Sequence, residues 1–154
     1  MPKTKRKEWP ERPPLHTMGR IIIKFEVANF ADILANRQGK LPAEKIRRFI
    51  MEGLVDPGSA HMVLPEQVAK DLGIPTMGKV KVTYADRRSR LCDVVDQVYV
   101  AIQDRGGVYR ATLEKKRNTA LIGAIVLEDL DFLVDSKKNR LIPRDPHYIL
   151  SEIE

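Results

Sequence analysis

The chain has 154 residues, is 43% hydrophobic and 31% charged, and carries a formal charge of +6. This composition predicts one globular domain with a sizeable core rather than a disordered chain. No apolar stretch approaches the roughly 20 residues of a membrane helix, and the N-terminus lacks the apolar centre of a secretory signal.

The positive charge is concentrated at the N-terminus, because residues 1–20 hold six bases and two acids. Residues 1–18 are also rich in proline, so we predict a flexible basic tail there. The remaining body is close to neutral, which disfavours a nucleic-acid protein; contact through residues 3–20 is the less favoured alternative. Cys92 is the single cysteine, which favours a reducing compartment, and we expect the cytoplasm.

The first half of the chain predicts strands around a turn. Residues 20–28 alternate between apolar and polar and predict a half-buried strand. Residues 29–44 contain Asn, Asp, Gly and Pro and predict a long connection. Residues 46–55 predict a second strand that ends in the turn.

The second half adds a long hairpin and several short strands. A short helix is predicted after Pro65, with Gly73 and Pro75 marking its end. Residues 79–102 predict the hairpin, residues 104–107 another turn and residues 108–113 a strand. The remaining elements are strands at 119–122, 132–134 and 140–143 and a short helix at 125–130. The inventory is mainly β, with two short helices, and predicts a closed barrel.

The turn between the first strands carries the chemistry. Leu54-Val55 runs into Asp56-Pro57-Gly58-Ser59, and a second apolar segment, residues 62–65, leaves it. By itself such an aspartate is usually structural and binds nearby amides. No glycine-rich phosphate loop is present, and the three histidines lack zinc-site spacing. We therefore expect no metal and no cofactor, and we interpret Cys92 as an inert thiol.

The order of these pieces resembles the retropepsin-like aspartic peptidases, especially small bacterial members, between Gly19 and Pro143. The resemblance is carried by several segments: the Asp56-x-Gly58-Ser59 turn, Val63-Leu64-Pro65, Leu72-Gly73-Ile74-Pro75, the hairpin at 79–102, Leu121-Ile122-Gly123, and the closing strands around Phe132–Asp135 and Arg140–Pro143. It implies a closed acid-protease β-barrel with a flap hairpin over residues 19–146. Residues 147–154 would be a C-terminal tail or a dimer-interface strand.

The resemblance also implies a mechanism. In this family two aspartates share one proton and activate a water that attacks the peptide bond. The chain holds one such turn, so Asp56 would be catalytic only in a homodimer acting on a peptide or protein. Gly58 and Ser59 would orient the carboxylates, and Leu121, Ile122 and Gly123 would support them. The flap would comprise Tyr84, Ala85, Asp86, Arg87 and Arg88.

Two positions depart from the family pattern. Pro57 stands where the family places Thr, whose hydroxyl and amide bond across the dimer, and Ala124 stands where the retroviral pattern has Arg. Proline has neither donor. Two functions remain open: an active aspartic endopeptidase, and a peptidase-fold dimer that binds extended peptides without cleaving them.

Overall fold

The structure, a computed structural model, describes residues 6–9 and 20–153, and its elements are mainly strands. In this part of the chain the strands are β1 (Lys7–Glu8), β2 (Ile21–Asn29), β3 (Arg48–Val55), β4 (Met62–Pro65), β5 (Thr76–Thr83), β6 (Ser89–Ile102), β7 (Arg105–Glu114), β8 (Ala120–Ile122), β9 (Phe132–Asp135) and β10 (Arg140–Pro143). The helices are α1 (Phe30–Arg37), α2 (Glu66–Leu72) and α3 (Ala124–Asp129), with a 3₁₀ turn at Ala43–Lys45. The prediction of a mainly β chain is confirmed.

Eight strands form one sheet in the order β1-β3-β2-β6-β7-β4-β8, and β5 pairs with β6 beside this path. β8 is antiparallel to β4 and parallel to β3. Each strand pairs with the next in the order β3, β2, β6, β7, β4 and β8, and β8 in turn pairs with β3. β9 and β10 make a separate antiparallel pair.

Strand β3 ends between two neighbours, and this fixes the position of the residue that follows it. Ile21 of antiparallel β2 lies opposite Val55, and Ile122 of parallel β8 lies on the other side of Val55. The end of β3 is thus tied to an early and a late part of the chain. The Asp56 turn begins at this point.

The core lies among these strands and beneath α2 and α3. Its largest fully buried side chains are aliphatic: Met51, Met62, Leu64, Leu72, Ile102, Ile122, Leu130, Val27, Val68, Val95, Val98 and Val100. Burial of each such side chain contributes roughly 1.5–3 kcal/mol. The predicted alternation of β2 holds over residues 21–25, where Ile21 and Phe25 are buried and Ile22 and Lys24 are exposed, but residues 25–29 are all buried, Glu26 included.

Three α-helices replace the two that were predicted. α2 ends at Gly73 in the left-handed conformation, φ +69°, and α3 follows β8, as expected. The prediction of an irregular connection at 29–44 is wrong over α1. The side chain of Asn29 accepts the backbone N–H of Asp32 at 3.0 Å and caps this helix.

The two predicted hairpins are present, but the second turn lies elsewhere. Residues 84–88 form the tip between β5 and β6. The turn between β6 and β7 is Gln103–Asp104, rather than 104–107. Gly106 and Gly107 lie inside β7, where an added Cβ would fall 2.4 Å from the hydroxyls of Tyr99 and Tyr109, respectively. These glycines make room for aromatic rings instead of making a turn.

The predicted flexible tail includes a short strand. Lys7 and Glu8 pair in parallel with Phe49 and Ile50, and the Trp9 ring meets the Phe49 ring edge-on with centroids 5.4 Å apart. Residues 7 and 8 of the predicted tail thus pair with β3, and the flexibility of the tail stays a prediction. Its other residues, and most of the basic segment 3–20, lie outside the described part of the chain.

The C-terminal residues 147–153 form neither a strand nor a helix in this single chain. Several of their apolar side chains are exposed, namely Tyr148, Ile149, Leu150 and Ile153. The dimer-interface strand predicted for this segment remains a prediction.

Candidate active site

Asp56 is the first residue after β3 and is half-buried. Its backbone N–H donates to the carbonyl oxygen of Ile122 at 2.9 Å. The ladder between β3 and β8 thus extends one residue into the turn, and the backbone of Asp56 is fixed on both sides. Predicted site residues from two distant segments are therefore in contact.

The carboxylate of Asp56 is held by the residues that follow it. The backbone N–H of Gly58 donates to Oδ1 at 3.0 Å, and the hydroxyl of Ser59 donates to Oδ2 at 2.9 Å. Each carboxylate oxygen therefore has one donor. Hydrogen bonds to the charged form hold a carboxylate in a defined orientation.

Pro57 fits the turn without local conflict. The N–H of Ser59 donates to the carbonyl of Asp56 at 3.1 Å, which makes Asp56 to Ser59 a β-turn with Pro57 at its second position. Proline suits that position because its φ is already fixed near −65°. Both central residues of the turn, Pro57 and Gly58, are exposed.

The segment after β8 is hydrogen-bonded to the residues that follow the Asp56 turn. Ala124 and Ile125 donate their backbone N–H groups to the carbonyls of Ser59, at 2.7 Å, and Ala60, at 3.0 Å. A Cβ on Gly123 would lie 2.6 Å from the carbonyl oxygens of both Ser59 and His61. Only glycine allows this close approach of two backbones.

No cation neutralises Asp56, which forms no ion pair within residues 6–9 and 20–153. His61, two residues beyond Ser59, is exposed, and no hydrogen bond among the described residues joins it to Asp56. The site thus offers an oriented carboxylate at the surface, and the described chain provides no second carboxylate to share its proton.

The predicted flap residues, Tyr84 to Arg88, form the tip of the β5–β6 hairpin. Tyr84 and Arg88 are joined by a backbone hydrogen bond of 2.9 Å, and Arg88 pairs with Asp86 at 2.6 Å. The Tyr84 hydroxyl donates to Glu114 of β7 at 3.3 Å. Burial and the neighbouring Glu114 carboxylate raise the pKa of Tyr84. No hydrogen bond or ion pair among the described residues joins this tip to the Asp56 turn.

Arg105 was not singled out by the sequence reasoning, yet it organises the C-terminal segment. Its buried guanidinium donates to the carbonyls of Leu130 and Asp131 at 2.9 and 3.1 Å, and also to those of Asp145 and Tyr148. The ring of Phe132 lies 5.5 Å from it. The alternation in β7 carried a signal, because Arg105 shares a strand face with three buried residues, Tyr109, Ala111 and Leu113.

Two carboxylates strengthen this C-terminal attachment. The N–H of Leu150 and the Arg144 guanidinium lower the pKa of Asp131. The backbone N–H groups of His147 and Tyr148 lower the pKa of Asp145. Both acids are therefore charged at neutral pH. Asp131 holds Arg144 and Leu150 against the body, whereas Asp145 stabilises the turn at 145–148 within the segment.

A cavity of about 800 Å³ lies away from Asp56, between β1 and residues 43–50. Its walls carry both signs of charge, with five bases and three acids: Arg6, Lys7, Lys45, Arg47, Arg48, Glu8, Glu44 and Asp71. Within the described residues, no group of three or more His, Cys, Asp or Glu is placed to hold a metal ion. No helix in that part of the chain is long and apolar enough to cross a membrane.

Comparison with known proteins finds likeness among solved structures but not in sequence. No protein-family model and no curated protein matches the chain. Among solved structures, the solution structure of the simian foamy virus (mac) protease is similar over 51% of this chain and 80% of that chain. The identity is 13% and the TM-score is 0.41.

Proposed function

We propose that the chain is one half of a homodimeric aspartic endopeptidase, with Asp56 as its catalytic residue. The observation that supports this most is the Asp56 turn itself. Its carboxylate accepts one hydrogen bond at each oxygen, from Gly58 and Ser59, and its backbone is bonded to Ile122. Aspartic catalysis requires a carboxylate with a fixed orientation that a second carboxylate can approach, and Asp56 supplies the first of these two groups.

The second carboxylate is supplied by Asp56 of a second copy at a two-fold axis. Two carboxylates about 3 Å apart cannot both be charged, so the pair shares one proton. The charged member takes a proton from water, and the water oxygen attacks the carbonyl carbon of the peptide bond. The protonated member donates its proton to the carbonyl oxygen, which gives a diol. As the C–N bond breaks, the leaving nitrogen receives the proton that the first member took from water, and a diol hydroxyl returns a proton to the second member, which restores the pair.

Exposed groups around the turn and at the C-terminus favour self-association. Pro57 and Gly58 are open to a partner, and so are the apolar residues Tyr148, Leu150 and Ile153. A symmetric dimer would bury the same patch twice. In this proposal the barrel of acid-protease type is closed, the β5–β6 hairpin is the flap that covers the peptide, and no cofactor takes part.

A dimer that binds peptides without cleaving them is the second candidate, and Pro57 favours it. The family residue at this position donates across the dimer, whereas proline lacks both donors. Each stranded acceptor costs roughly 1–3 kcal/mol. Because the turn within one chain is intact, this cost lowers the stability of the dimer and alters the geometry of the paired carboxylates.

Cleavage of a diverse peptide mixture between pH ~4 and ~7.5 tests the proposal, since a shared proton produces a bell-shaped pH dependence. Products are identified by mass spectrometry, and Asp56→Asn is the control. Both proteins are also checked for acid nicking at the Asp56-Pro57 bond. We expect cleavage that disappears in Asp56→Asn. Equal product sets, from proteins shown to be folded and dimeric, would leave the peptide-binding function instead.

Pro57→Thr separates the two candidates further. The variant restores a hydroxyl and an N–H at the exposed position. We expect tighter dimers by sedimentation equilibrium and faster cleavage than in the wild type.

We also propose that the protein works in the cytoplasm, since its single cysteine, Cys92, is buried and unpaired.

A further inference from the structure

The β5–β6 hairpin has two chemically different faces, which its strand register defines. Residues directly opposite each other share a face. Val80 is opposite Cys92 and Val82 is opposite Arg90, whereas Lys81 is opposite Leu91. Cys92 is only 4% exposed but Leu91 is 67% exposed. The face with Cys92 is therefore the inner face of the hairpin, and Lys81 and Leu91 lie on the outer face.

The tyrosine at the base of the tip confirms which side faces the body. Its hydroxyl reaches Glu114 of β7, and burial and Glu114 are the main reasons for its raised pKa. Cys92 contributes to the same shift. Tyr84 and Cys92 thus lie on the body side, and Arg90 lies on the same face between the two along the hairpin.

The hairpin neutralises some of its bases but leaves Arg90 without a carboxylate. Lys79 pairs with Asp93 at 2.9 Å, and Arg88 pairs with Asp86 at 2.6 Å. Arg90 makes no ion pair with any residue in 6–9 or 20–153. The acid on the body side, Glu114, is already bound by Tyr84 and by Arg117 at 2.9 Å.

We propose that Arg90 is a specificity residue that binds an acidic side chain of the peptide held under the hairpin. This inference rests on the proposed function, because it takes the hairpin as the flap. A guanidinium pairs with a carboxylate through two parallel hydrogen bonds. Arg90, which is exposed in this chain, shares the inner face with the apolar residues Val80, Val82 and Cys92. The preferred substrate class is therefore peptides with Asp or Glu at one fixed position.

Selection from a degenerate peptide library tests the assignment. Asp56→Asn, in the full-length chain, serves as the host because it retains bound peptides uncleaved; recovered peptides are sequenced by mass spectrometry. Arg90→Glu is then compared with Lys81→Glu, a matched charge reversal on the outer face. Unfolding curves establish that both variants are folded.

We expect Asp or Glu to be enriched at one position by the host and by the Lys81→Glu variant. Arg90→Glu should lower that enrichment roughly tenfold and favour Lys or Arg there instead. The inference is overturned if no peptide is retained, if acids are not enriched, or if both reversals have the same effect.

Cleavage of the same library by the chain with Asp56 intact distinguishes this inference from the proposed function. If acidic peptides are enriched but no cleavage depends on Asp56, the peptidase function is refuted and the assignment of Arg90 stands. Cleavage that depends on Asp56 at sites with no fixed acidic neighbour would keep the peptidase and refute the assignment.

Discussion

Asp56 and Arg105 are both charged groups held by hydrogen bonds, but their partners lie at very different distances along the chain. The Asp56 carboxylate is bonded to Gly58 and Ser59, which follow it almost directly. The Arg105 guanidinium is bonded to carbonyls that come 25 to 43 positions later. The first arrangement is determined by a few adjacent residues, whereas the second depends on the whole fold.

This contrast predicts that Arg105 matters more for stability than Asp56 does. Arg105→Met would leave buried carbonyls without donors and lower the free energy of unfolding by roughly 3 kcal/mol. Arg110→Met, which removes an exposed pair with Asp96, should lower it by less than about 1 kcal/mol. Urea unfolding measures both. Equal losses would mean that the four carbonyl contacts contribute no more than a surface ion pair.

The support beneath the Asp56 turn should be the next most sensitive feature. Gly123→Ala places a Cβ 2.6 Å from two carbonyl oxygens of the backbone, and we expect about 2 kcal/mol of destabilisation. Gly78→Ala is the matched control, since an added Cβ there meets nothing within 4 Å. Thermal unfolding compares them. If Gly123→Ala were as stable as the control, residues 59–61 would not approach Gly123 as closely as described.

A smaller effect is expected from the side-chain hydrogen bond to Asp56. Ser59→Ala removes the donor to Oδ2 and should lower the free energy of unfolding by about 1 kcal/mol. Ser136→Ala, in an exposed turn, should change it by less than about 0.5 kcal/mol. Chemical denaturation measures the free energy of unfolding of both variants. If Ser59→Ala left it unchanged, the hydrogen bond from Gly58 alone would be enough to hold the Asp56 carboxylate.

The smallest effect concerns pH at the C-terminal attachment. The folded-state pKa of Asp131 is lowered by the Leu150 N–H and by Arg144. Its stabilising contribution is thus complete above the ordinary aspartate value of about 3.9 and is lost as pH falls through the lowered value. The amide chemical shift of Leu150 should titrate with a midpoint below about 3.9. Asp131→Asn should abolish this step, and a midpoint above that value would contradict the assignment.

Much of the fold follows from patterns within a few residues, and such patterns were predictable. The alternation of β2, the end of α2 at Gly73 and the Asp56 turn all depend on neighbours in sequence. The missed helix α1 was also local, but Asn29 suits a loop and a helix cap equally. Only the contact with Asp32 distinguishes the two.

Other features depend on contacts that no short segment contains. Gly106 and Gly107 are suitable turn residues, and their true role requires the rings of Tyr99 and Tyr109. Arg105 could be placed on the buried face of β7 by alternation, but its carbonyl partners come from the C-terminal third of the chain. The candidate site was predictable at Asp56, while the fit of Gly123 against residues 59–61 needed the structure.

The parallel pairing of β3 with β8 has a consequence for the order of synthesis. Residues 53–55 leave the ribosome long before residues 120–122, with which they pair. Contacts between such distant segments form late in folding. A nascent chain that ends before residue 120 already contains Asp56, but it lacks the carbonyl of Ile122 that fixes the Asp56 backbone. The backbone of Asp56 therefore acquires this hydrogen bond only after residues 120–122 have been made.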